Sequence, residues 1–100
     1  MAADVLLVED DPSILEFTTL VLESAGYSVR LAINGLEALD LIYQQQPNLI
    51  LLDLMMPVMD GLSLGQALRG DERTRDIPIV IFSAYPGGWL RPRSLTPRAI

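Results

Sequence analysis

The 100-residue chain has no cysteine and no histidine, and since all seven of its basic residues are arginine it has no lysine either. The first absence excludes disulfides, thiol nucleophiles and thiolate metal sites. The second removes the commonest general base and the commonest zinc ligand. Positive charge is scarce too: 7 basic residues face 13 acids, for a net charge of -6 and a pI of about 4.3. Nucleic acid needs a basic footprint, so none is expected as a partner. No run is long and apolar enough to span a membrane, and no leader precedes the first strand-like run; a cytoplasmic protein with no membrane partner is expected. Half of the residues are hydrophobic, enough for a packed core in one small domain.

What is there alternates. Val5 to Val8 is a short continuous apolar run, as suits a strand buried on both faces. Asp11-Pro12 is a helix start, with Asp11 as N-cap and Pro12 at the first helical position. Ile14, Phe17, Val21 and Ala25 then recur at helical spacing, Leu22 widens the stripe, and Gly26 suits a C-cap. Ser28 to Ala32 reads as a second strand. Asn34, with Glu37 at the capping-box position, opens a second helix that carries Leu36, Leu39 and Tyr43 on one side. Leu49 to Leu52 is a third apolar strand ending at Asp53. Asp60 can cap a third helix through Arg69, Gly70 can end it, and Ile77 to Phe82 is a fourth strand. Apolar strands alternating with helices indicate an α/β fold around a parallel sheet covered on both faces.

The pattern breaks at Pro86-Gly87-Gly88, a turn or linker signal. Charge changes sign there as well. Residues 1–85 hold 13 acids and 4 arginines (-9), whereas residues 86–100 hold 3 arginines and no acid (+3). The chain is therefore divided into a domain over residues 1–85 and a divergent tail over 86–100.

Three acids follow the first strand without a break: Glu9, Asp10 and Asp11. Crowded like charges repel unless a cation sits among them or water screens them. In doubly wound sheets of order 2-1-3-4-5, ligands bind beyond the carboxyl ends of the strands, between the first and third. Glu9 and Asp10 lie just past the first strand and Asp53 ends the third, so that topology converges three carboxylates. An all-oxygen ligand set without His or Cys favours Mg²⁺. The plainer reading of such acids is a solvated loop and a helix cap, and for Asp11 the cap is preferred. Met55, Met56 and Met59 are read as gap-filling packing rather than as ligands.

As a set, these motifs resemble the receiver domain of two-component response regulators. Val8-Glu9-Asp10-Asp11 looks like its acidic-pair segment, and Asn34-Gly35-Leu36-Glu37-Ala38-Leu39 like its second-helix entry. Leu52-Asp53-Leu54-Met55-Met56-Pro57-Val58-Met59-Asp60-Gly61 is similar to its phosphoacceptor loop. Ile77-Pro78-Ile79-Val80-Ile81-Phe82-Ser83-Ala84 looks like its fourth strand with the switch hydroxyl. The resemblance implies a flavodoxin-like, doubly wound parallel sheet. It implies that Asp53 accepts a phosphoryl group from a histidine kinase or phosphotransfer protein. Glu9, Asp10, Asp53 and the backbone carbonyl of Met55 would hold Mg²⁺, and Ser83 would donate a hydrogen bond to the phosphoryl group. The metal would offset repulsion between the carboxylate and the incoming anion.

The likeness stops at Tyr85. The family's last helix, strand and helix have no counterpart, which leaves the order 2-1-3-4, and the family's phosphate-contacting lysine is absent. Arg98 is the only tail residue that faintly resembles that segment, and guanidinium does not replace ammonium. A fourth strand left as a sheet edge exposes apolar surface, so self-association through that edge is expected. Two readings follow: a phosphorylatable signalling switch, not an enzyme, or a pseudo-receiver that works by association alone. A metal-dependent phosphatase would lack a general acid or base.

Overall fold

The structure, a computed structural model, describes residues 3–53, 61–82, 84–85, 89–90 and 93–94. Strands β1 (Asp4–Val8), β2 (Ser28–Ala32), β3 (Leu49–Asp53) and β4 (Ile79–Phe82) alternate with helices α1 (Pro12–Ser24), α2 (Gly35–Gln44) and α3 (Gly61–Arg69). Three two-residue strands follow: β5 (Ala84–Tyr85), β6 (Trp89–Leu90) and β7 (Arg93–Ser94). The main sheet has the order β2-β1-β3-β4-β7, and its first four strands run parallel. That is the 2-1-3-4 arrangement expected of a flavodoxin-like fold. Among the described residues no further helix follows β4.

Local chemistry sets the helix starts. Asp11 Oδ1 accepts from the N–H groups of Ser13 (2.8 Å) and Ile14 (3.3 Å), two of the donors that a helix start leaves orphaned. Asn34 Oδ1 accepts from Glu37 N–H at 2.8 Å. The Glu37 carboxylate reaches back to the N–H of Ile33, one residue before the cap (3.2 Å). Gly26, at φ +95°, takes the left-handed turn after α1 that a side chain would resist. The expected third-helix cap, Asp60, lies outside the described residues.

The two faces of the sheet differ. Leu6, Val8, Ala32, Ile50, Leu52, Ile79 and Ile81 point to one face and are buried beneath Ala38 and Ile42 of α2 and Leu64 and Leu68 of α3. On the opposite face Val5 and Leu7 are buried, but Val29, Leu49, Leu51 and Val80 are only half-buried and Leu31 is exposed. Among the described residues α1 is the one helix on that side, and none of its own residues is fully buried. The expected cover on both faces is thus realised fully on one.

The stripe read for α1 is corrected as well. Ile14, Leu15, Thr18, Thr19 and Leu22 are its half-buried residues, whereas Phe17 is 68% and Val21 49% exposed, and Ala25 is exposed. Two overlapping stripes on this helix have helical spacing, and a sheet narrower than the apolar arc selects one of them.

Two arginines fasten the helix ends. Arg30 on β2 pairs with Asp4 at 2.7 Å and donates to the carbonyls of Leu41 and Gln45 at the end of α2 (3.1 and 2.7 Å). Arg69 donates likewise to the carbonyls of Thr74, Arg75 and Ile77, past the end of α3. Both add donors to carbonyls at a helix end or loop, of which those of Leu41 and Thr74 also accept the backbone N–H groups of Gln45 and Ile77. Arg30→Met is expected to lower stability by about 2 kcal/mol, because the half-buried Asp4 carboxylate loses its partner, while the Leu41 carbonyl keeps the Gln45 N–H. Urea unfolding at constant slope measures it; an unchanged midpoint would refute the clamp. At the same end of the molecule Tyr43 O–H donates to Asp71 at 2.8 Å, and Arg73 pairs with Asp71 and stacks 4.7 Å from the Tyr43 ring centre. The hydrogen bonds from Arg73, and the one from Tyr43, hold the Asp71 carboxyl well below the usual carboxylate range. A depressed carboxyl stabilises the fold above its unfolded pKa, and that contribution is lost as pH falls through the folded value.

The tail departs from expectation. β5 and β6 pair antiparallel, Ala84 with Leu90 and Tyr85 with Trp89. β7 pairs antiparallel with β4, Val80 with Ser94 and Ile81 with Arg93. The β4 edge is therefore occupied at those two positions rather than left bare, because a short strand of this same chain satisfies its backbone groups.

Candidate functional site

The parallel register builds the acidic end of the sheet. Val8 of β1 pairs with both Ala32 of β2 and Leu52 of β3, and Asp53 pairs with Phe82 of β4. One residue further, Glu9 extends the ladder by donating its N–H to the Ala32 carbonyl at 3.0 Å. Glu9 and Asp53 thus stand at one level on neighbouring strands, about 4.8 Å apart in the pairing direction. Both are at carboxyl ends, and β1 and β3 flank the point where strand order reverses.

The three acids after β1 separate in role. Glu9 is 2% exposed, and its Oε1 accepts the Asp11 N–H at 3.0 Å, so the carboxylate is held against the turn that leads into α1. Asp10 is exposed. Asp11 is the N-cap, as expected, and its Oδ1 is committed to backbone. Burial of an acid at a strand end was not readable in sequence, since it depends on how the loop closes over it.

Asp53 is placed by its backbone at the end of β3, and its side chain lies outside the described set. Met55 and Ser83 lie outside the described residues, Ser83 directly after β4. Among the described residues no group of three or more metal-ligating side chains occurs; Glu9 and Asp10 are the two sequence-read acids at this end whose side chains are described. Carboxylate oxygens without nitrogen or sulfur suit a hard divalent cation, so the residue types fit Mg²⁺.

A family model, the response regulator receiver domain, matches residues 5–90. The chain belongs to the response regulator receiver family. Over 80 residues it is 46% identical to a DNA-binding dual master transcriptional regulator, RpaA, of Synechocystis sp., covering 80% of this chain and 33% of that protein. It is 42% identical over 84 residues to the response regulator MprA of Mycobacterium tuberculosis, covering 84% and 36%. The receiver thus spans about a third of the length of these curated relatives. Among solved structures it resembles the N-terminal domain of a response regulator receiver protein from Methanoculleus marisnigri (TM-score 0.82, 36% identity, 86% of this chain and 70% of that one). It also resembles the receiver domain of a sensor histidine kinase from Pseudomonas aeruginosa, described with a magnesium ion coordinated in its active site cleft (TM-score 0.80, 34% identity, 84% and 69%).

Receivers are signalling modules of two-component systems, and response regulators interact with histidine kinases. No helix among the described residues is long and apolar enough to cross a membrane.

Proposed function

We propose that this receiver accepts a phosphoryl group on Asp53 from the phosphohistidine of a kinase or phosphotransfer protein, in the cytoplasm, and changes conformation or association as a result. The observation that carries the reading is the register that sets the buried Glu9 beside the backbone position of Asp53 at the switch point of the sheet. A carboxylate oxygen of Asp53 attacks phosphorus, the bond to the histidine nitrogen breaks, and an acyl phosphate results. Glu9, Asp10, Asp53 and the Met55 carbonyl would hold Mg²⁺, which when bound supplies positive charge where two anions meet. Ser83, following β4, would donate a hydrogen bond to the phosphoryl oxygen and pass the change to that strand. The exposed Phe17, Leu20 and Val21 on α1 offer the kinase an apolar surface. Self-association belongs to the same proposal, although β7 takes up part of the edge first expected to mediate it.

The test is intact mass after incubation with a small acyl-phosphate donor, with and without Mg²⁺. One phosphoryl adduct that appears only with Mg²⁺ is the expected result. A folded protein with no adduct would support the other reading, in which the chain acts by binding alone.

A further inference from the structure

The outer edge of β2 is unpaired. β2 is the outermost strand of the main sheet, and no described strand lies beyond it. Ser28 donates its N–H to the Ala3 carbonyl (2.9 Å) and Ala32 accepts the Glu9 N–H (3.0 Å), so the alternate residues Ser28, Arg30 and Ala32 turn their backbone groups inward to β1. The N–H and C=O groups of Val29 and Leu31 therefore point outward. Such an edge is a template for a further strand. A strand laid about 4.8 Å outside β2 would take up those four groups, and its alternate side chains would rise on the α1 side of the sheet.

There they meet an open groove of about 500 Å³ between α1 and β2. Leu15, Leu20 and Leu31 line it with apolar surface, Leu20 being 63% and Leu31 43% exposed. Glu16 and Glu23 stand along it, two helical turns or roughly 10 Å apart, and neither is paired with a cation among the described residues. Thr19 lines it as well, and its buried Oγ1 has no hydrogen-bond partner. At roughly 100° per residue Thr19 stands about 160° round the helix from both Phe17 and Val21, so the groove opens on the other side of α1 from those two.

Charge decides what the added strand is. α1 carries two acids and no base. Arg30, the one cation of β2, lies on the opposite face of that strand and is committed to Asp4. A second copy pairing β2 to β2 about a two-fold axis would set both α1 helices on one face, with acids facing acids. A basic strand meets the opposite charge instead.

We infer that the β2 edge and the groove beside α1 together bind an extended, basic segment of another protein, which adds to the sheet as a strand. One apolar residue covers the leucines, and a lysine or arginine two positions to either side meets Glu16 and Glu23. Same-face residues four apart on a strand lie about 13 Å apart, and the long stems of these side chains close the difference from the glutamates. No residue of the acidic end at Asp53 takes part, so this binding does not rest on phosphorylation.

The probe is a fluorescently labelled heptapeptide, Thr-Lys-Thr-Leu-Thr-Lys-Thr, titrated with the full chain at low salt and followed by anisotropy. Saturable binding is expected, and it should weaken roughly tenfold or more when glutamates replace the two lysines. Glu16→Lys/Glu23→Lys should reverse that preference and favour the glutamate peptide. Val29→Pro removes one outward donor and leaves the β1 ladder intact, since proline is tolerated at a strand edge; it should weaken either peptide roughly tenfold with circular dichroism unchanged. Should a variant unfold, hydrogen exchange on the wild-type chain carries the test: the Val29 and Leu31 amides are expected to slow when the lysine peptide is bound. No saturable binding, equal binding of the two peptides, or Val29 and Leu31 amides that exchange as fast with peptide as without it would overturn the inference. So would a wild-type dimer that Val29→Pro dissolves, which would give the edge to a second copy.

Discussion

Asp53→Asn is expected to take up no phosphoryl group under conditions in which the wild-type receiver gains one. The amide matches the carboxylate in size, so a strand end paired with Phe82 should tolerate it. What it loses is nucleophilicity and one negative charge. An uncharged amide oxygen attacks phosphorus poorly, and the acidic end retains Glu9 and Asp10 but has one carboxylate fewer. The expected drop in adduct is at least about a hundredfold, measured by intact mass with Mg²⁺ present, in a protein whose circular dichroism is unchanged. An adduct of undiminished yield on the variant would place the phosphoryl group elsewhere, and the reading of Asp53 would fail. Removing the charge also relieves the repulsion between neighbouring strand ends. The variant should therefore be no less stable than the wild type, which separates loss of chemistry from loss of fold.

The contrast between Asp53 and its surroundings shows what sequence could and could not convey. The caps at Asp11 and Asn34 were legible because capping is local: a side chain bonds an N–H two or three residues on. The parallel α/β class was legible because apolar runs alternate with helices, and the strand order came with the family resemblance. The pairing of the acidic ends followed from the same pattern, as Val8 and Leu52 are the last apolar residues of their runs. Three features were not legible. Arg30 bonds carbonyls 11 and 15 residues away, which no spacing rule announces. The choice between overlapping stripes on α1 depends on how many helices share that face of the sheet. β7 is two residues long, and Arg93-Ser94 carries no strand periodicity; its place comes from the unsatisfied edge of β4 rather than from its own propensity. In each case the deciding partner is remote in sequence.

The unequal faces of the sheet lead to the second large effect. Leu52 and Leu51 are adjacent, identical in chemistry and opposite in direction. Leu52 is fully buried, beneath a face packed by both α2 and α3, whereas Leu51 is half-buried on the face where α1 alone is described. Leu52→Ala should cost about 3–4 kcal/mol, the lost transfer energy plus a cavity that two packed helices cannot collapse. Leu51→Ala should cost only about 1 kcal/mol, because its side chain already meets water and the space left can fill with it. Against a typical domain stability of about 5–15 kcal/mol, the first is a large fraction and the second is not. Urea midpoints at equal slope decide the matter, measured at protein concentrations low enough to keep copies apart. Equal losses would mean that the α1 face is as well covered as the other. A large gap would mean that this domain is held together from one side, with its second face open to whatever it binds.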